Sequence, residues 1–152
     1  MDVAVAALED LAAWQRVIDG YQPLFEPLAA NASIGLVPRY FTDATGARRN
    51  AAMPSTLELP MLEWRRTTDR MTALPATYRG LEGLGVDLLF LAGDGALEAV
   101  LAREEHPLGE MKRQLRAARI QFFVFRTKHE LRDLGYEDFV EALGLPFLGA
   151  CR

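Results

Sequence analysis

Val86-Asp87-Leu88-Leu89-Phe90-Leu91 and Ile120-Gln121-Phe122-Phe123-Val124-Phe125 are the two stretches on which the fold turns. Each is an almost unbroken apolar run bounded by polar residues or glycine, which is the pattern of a strand buried on both faces. Between them, Gly93-Asp94-Gly95 closes the first run. Leu97, Val100 and Leu101 then recur at helical spacing over 96–104, with Asp94 as the expected N-cap. Pro107 separates a second helix over 108–119. A crossover holding two helices is long enough for parallel strands, and such units are right-handed. The expected fold is α/β, with a small central mixed or parallel sheet flanked by helices. Because the strand directions are assumed, α+β is the alternative.

Working outward, Val3, Ala7, Leu11, Trp14 and Ile18 place one apolar stripe on an N-terminal helix over 2–19, stopped by Gly20 and by the prolines at 23 and 27. Residues 33–49 read as a hairpin around Asp43-Ala44-Thr45-Gly46, and Pro38 in its first arm marks an edge strand. A helix is expected over 61–73, and connecting structure over 75–85. At the other end, Thr127-Lys128-His129-Glu130 has the spacing of a capping box opening a short helix to Leu134. A last helix over 136–143 is closed by Gly144 and Pro146. Leu89, Phe90, Phe123 and Phe125 are expected to be buried or to lie in the sheet, with Trp14 packed on it. No repeat, low-complexity tract or long linker divides residues 1–152, so they read as one globular domain.

Composition narrows the function by exclusion. Half of the 152 residues are hydrophobic, a quarter are charged and the net charge is −4, which is a globular balance rather than a disordered one. One cysteine, Cys151, forbids an internal disulfide and suits a reducing compartment, so the expected location is cytoplasmic. The start of the chain carries Asp2, Glu9 and Asp10 where a secretory leader is basic, and no apolar run approaches the ~20 residues that span a bilayer. The serines, Ser33 and Ser55, occupy no nucleophile elbow, and Gly-Asp-Gly falls short of a phosphate loop. His106 has Glu104 and Glu105 beside it, yet adjacent helical residues do not share a face, so no metal site and no cofactor is expected.

Two candidate surfaces remain. Parallel pairing of the central runs would bring Asp94, Arg126, Lys128 and His129 to one carboxyl edge beside helix N-termini, a setting that suits a small anionic ligand. Lys112, Arg116 and Arg119 form a basic stripe that could meet phosphates. The acidic balance of the chain argues against nucleic acid as a partner and for a solvated or protein-facing helix. With no nucleophile, metal set or nucleotide fingerprint, the expected function is that of a small cytoplasmic accessory or regulatory protein of bacterial type acting by protein–protein interaction. The other class is an enzyme or sensor binding a phosphorylated or carboxylated small molecule at Asp94, Arg126, Lys128 and His129. An unpaired edge strand and amphipathic ends point to a homodimer.

Overall fold

A computed structural model describes residues 3–145; Asp2, Pro146 and Cys151 lie outside them. The N-terminal stripe forms two helices rather than one, α1 (Val3–Glu9) and α2 (Leu11–Asp19). The break falls at Asp10, whose carboxylate accepts from the Ala13 N–H at 3.2 Å and caps α2. The stripe faces inward as expected: Trp14 and Ile18 are fully buried, and the Trp14 indole N–H donates to the Ala7 carbonyl at 2.8 Å. A short α3 (Gln22–Phe25) follows.

The chain then runs through β1 (Ser33–Pro38), β2 (Tyr40–Thr42), β3 (Arg48–Asn50), β4 (Leu59–Arg66), β5 (Met71–Tyr78) and β6 (Leu88–Ala92). It continues through α4 (Ala96–Ala102), α5 (Pro107–Arg116), β7 (Ile120–Val124), α6 (Lys128–Leu134) and α7 (Glu137–Ala142). Five strands form one mixed sheet in the order β5-β4-β1-β6-β7. β1 is parallel to β6, with Ile34 opposite Leu88, and antiparallel to β4, with Ile34 opposite Trp64. The architecture is α/β, a mixed sheet flanked by helices.

Three expectations are corrected. The stretch over 61–73 is no helix: β4 and β5 make a hairpin that pairs Glu63 with Leu74 and Trp64 with Ala73. The hairpin expected over 33–49 is displaced, since β1 is the middle strand of the sheet with Pro38 as its last residue, and the pairing arms are β2 and β3. β6 and β7 are antiparallel, with Leu88 opposite Val124 and Ala92 opposite Ile120. The two helices between them explain the direction. α4 leads the chain away from the carboxyl end of β6 and α5 returns it, so β7 begins where β6 finished. α5 also stops at Arg116, which leaves Arg119 off its basic face.

The sheet separates two cores. Ile34, Leu36, Leu62, Trp64, Leu88 and Phe90 face the helices, where Trp14, Phe25 and Phe139 gather around Trp64 with ring centroids 6.0–6.4 Å away. On the opposite face Val37, Met61, Tyr78, Leu89 and Leu91 are covered by Ala51 and Phe41 from the β2–β3 hairpin and by Leu81, Leu84 and Val86. Leu89 and Phe90 are fully buried, whereas Phe123 and Phe125 on this second face are half-buried. Phe90→Ala is accordingly expected to cost about 3–5 kcal/mol and Phe123→Ala roughly half of that, measured by urea unfolding. Equal losses would contradict the unequal cover of the two rings.

Candidate binding groove

The four residues expected to share an edge fall into two places. Asp94 follows the end of β6, exposed, and pairs with Arg48 at 2.7 Å. It caps nothing: Gly95, in the left-handed conformation at φ +77°, precedes α4. Arg126, Lys128 and His129 stay together after β7, at the other end of β6, about 20 Å of strand away. Antiparallel pairing is what parts them. Thr127 caps α6 as expected, accepting from the Glu130 N–H at 3.1 Å while its own N–H donates to Glu130 at 2.8 Å.

Arg126 is drawn into a network that the sequence did not announce. Asp87, buried at the start of β6, accepts from the Ser33 N–H at 2.9 Å and from the Tyr136 hydroxyl at 2.7 Å. Its other oxygen is 2.8 Å from the Arg126 Nε. Ser33 in turn donates its hydroxyl to buried Glu63 at 2.6 Å, and Arg65 lies 2.9 Å from the same carboxylate. Burial and the neighbouring Asp87 carboxylate push the Tyr136 phenol far above its ordinary value, so it remains a proton donor. The network ties the end of β7 and the start of α7 to β1 and β4. An Arg126→Gln, Lys128→Gln double substitution would therefore disturb the fold as well as the surface. Among the described residues, no group of three His, Cys, Asp or Glu side chains is placed to hold a metal.

The concave surface lies elsewhere, on the helical side. α2 ends at Gly20, α3 turns back through Pro23, and α4 gives way to α5 through Arg103–His106. Between these segments is a cleft of about 410 Å³, walled by Ala13, Val17, Tyr21, Leu101 and Pro107 and rimmed by Arg16, Glu104, Glu105 and His106. A second hollow of about 430 Å³ shares Gly20 and Tyr21 with it and continues over Leu24, Leu108 and Gly109 to Ala142 of α7. The two hollows meet at Gly20 and Tyr21, the first mixed in its lining with charge at the rim and the second mainly apolar, a combination suited to binding.

α5 gives the groove a firm wall. Pro107, at the first position of the helix, has no N–H to leave unsatisfied there. Beneath it Glu110 is buried and accepts from the Gln114 amide at 2.6 Å, with Arg113 3.0 Å and Arg103 3.5 Å from its carboxylate. The Gln114 hydrogen bond, reinforced by the two guanidiniums, holds the Glu110 carboxyl below its ordinary value despite burial. Arg103 thereby fixes the base of the turn that carries Glu104, Glu105 and His106. Of these residues only His106 with its two glutamates stood out in the sequence, as an improbable metal site. The floor arises from separate segments and has no local signature.

The molecule so defined is an α/β domain with hollows lined by its helices. No family model and no curated protein matches its sequence. Among solved structures, one described as a UbiJ-SCP2 ubiquinone synthesis protein superposes on 93% of this chain and 88% of its own, with a TM-score of 0.42 and 10% sequence identity. No helix among the described residues is long and apolar enough to cross a membrane.

Proposed function

We propose that this chain is an accessory or regulatory protein of the cytoplasm that acts by holding another protein, and that the groove between α2–α3 and the α4–α5 turn receives an apolar segment of that partner. The observation that carries this reading is the groove's make-up: Val17, Tyr21, Leu24 and Leu101 are only partly covered and line the two hollows, with Glu104 and Glu105 at the first. Partly covered apolar side chains in a concave strip are what a partner's anchor buries. Two glutamates against Arg16 leave that end slightly acidic, which favours an anchor followed by lysine or arginine. The reading as an enzyme or sensor for an anionic small molecule has less support, because Arg126 is engaged by Asp87 and Asp94 by Arg48.

Amide chemical shifts followed during titration with short Phe/Leu peptides, flanked by Lys or by Glu, test the proposal. The Lys-flanked peptides are expected to bind more tightly and to shift Val17, Tyr21, Leu24 and Leu101. Leu101→Glu is expected to weaken them at least about tenfold in a chain whose buried Trp14 and Trp64 still report a folded core. Shifts confined to another surface, or affinity unchanged by Leu101→Glu, would remove the groove from the function.

A further inference from the structure

The two edges of the central sheet are finished in opposite ways. At the start of β5 the outward backbone groups are occupied: the Met71 N–H donates to the Gln22 side chain at 3.0 Å, and the Ala73 N–H donates to that of Gln15 at 2.9 Å. The Gln22 and Gln15 amides donate back to the Met71 carbonyl at 2.9 and 3.2 Å. Pro75 in the same strand has no N–H to offer. Such devices keep an edge from pairing with another chain.

β7 has none of them. The Phe125 N–H bonds the Asp87 carbonyl and the Gly93 N–H bonds the Arg119 carbonyl, so the odd-numbered residues of β7 turn their backbone groups toward β6. The groups of Ile120, Phe122 and Val124 point outward, and among the described residues no hydrogen bond reaches them from that side. From Ile120 to Phe125 there is no charge and no proline, and Phe122, Phe123, Val124 and Phe125 are all half-buried. An uncharged, aromatic edge whose outward groups have no partner among the described residues is a template for another strand.

We infer that β7 is a homodimerisation strand, pairing antiparallel with β7 of a second copy about a two-fold axis at Phe122. The outward groups fix the register, and about Phe122 the strand is complementary to a second copy of itself. With Phe122 opposite the second copy's Phe122, Ile120 falls opposite Val124, and every outward N–H and C=O of the strand finds a partner. The same register sets exposed Arg119 opposite the second copy's Phe125, a cation beside an aromatic ring. Sliding the pair by one residue, so that Phe122 meets Phe123, would set Arg119 against Arg126, and the outward groups would no longer face one another.

Sedimentation of the full chain at about 20 µM, well above a micromolar dissociation constant, tests the inference. The wild-type chain is expected to run as a dimer. Val124→Pro, which deletes an outward N–H and spares the β6 ladder, and Phe123→Lys, which puts a charge on the edge, are both expected to run as monomers. Fluorescence of buried Trp14 and Trp64 checks that each variant is folded, so one folded variant suffices. In a Cys151→Ser background, Phe122→Cys is expected to cross-link to itself under mild oxidation, whereas Arg119→Cys is not. A monomeric wild-type chain, a dimer that survives in a folded variant, or cross-linking at 119 in place of 122 would overturn it.

Discussion

Gly135→Ala is expected to lower the stability of the fold by at least about 3 kcal/mol, a large share of what a domain of this size possesses. Gly135 ends α6 at φ +88°, a conformation that L side chains rarely adopt. A methyl group there would stand 2.1 Å from the Pro27 carbonyl oxygen and 2.7 Å from its carbon. Neither backbone can move aside cheaply. The Gly135 N–H is bonded to the Arg132 carbonyl at 3.0 Å, and the Ala29 N–H holds the Leu134 carbonyl at 2.9 Å, stapling the two segments together. Urea unfolding reads the loss directly. A change below about 1 kcal/mol would mean that the connection from α3 to β1 yields to the new side chain.

Asp87→Ala should come next, with a loss of about 3–5 kcal/mol. One carboxylate satisfies the Ser33 N–H, the Tyr136 hydroxyl and the Arg126 guanidinium; removing it leaves the buried Ser33 N–H without that acceptor, the Tyr136 hydroxyl with only the Ser33 carbonyl at 3.2 Å, and the partly exposed Arg126 without its counter-charge. Tyr136→Phe deletes one donor to a carboxylate that keeps its other two, so about 1.5–3 kcal/mol is expected there. The contrast between the two variants is the informative quantity. If Asp87→Ala costs no more than Tyr136→Phe, the Arg126 pair contributes nothing and the network reduces to a single hydrogen bond.

What could be read from the residues was the presence of elements more than their direction. The apolar runs at 86–91 and 120–125 read as strands because they are too short for a typical helix and are bounded by glycine and polar stops, and they hold β6 and β7; Thr127 with Glu130 declares its cap outright. Strand polarity has no such mark. An apolar run reads the same in both directions, and a connection with one helix or two decides where the next strand starts. β4 was hidden for a related reason. Met61, Leu62, Glu63 and Trp64 are all buried, since helices cover one face and the β2–β3 hairpin the other, so the alternation that betrays a half-exposed strand is erased. Glu63 in particular imitates the polar face of a helix, while Ser33 and Arg65 satisfy it inside the sheet.

The candidate site was less legible still. Asp94 and Arg126 were joined by an assumption about direction and part with it. Asp87 interrupts an apolar run and could have been recognised as a buried acid in need of partners, but Tyr136 and Ser33 lie 49 and 54 residues away in sequence. The groove draws Tyr21, Leu101 and Leu108 from three segments, each of which in isolation reads as ordinary core.

The glutamine-sealed edge at β5 also limits how far molecules of this kind can associate. A sheet with two bare edges can polymerise, since the β5 side of one molecule could dock on the β7 side of the next without end. With Gln15 and Gln22 engaging the first outward groups of β5 and Pro75 withholding an N–H further along, growth is directed to the other side of the sheet, where a two-fold pair uses up the edge. Assembly through backbone pairing is thus self-terminating, and two modest amide side chains on α2 and α3 stand between a finite particle and a filament.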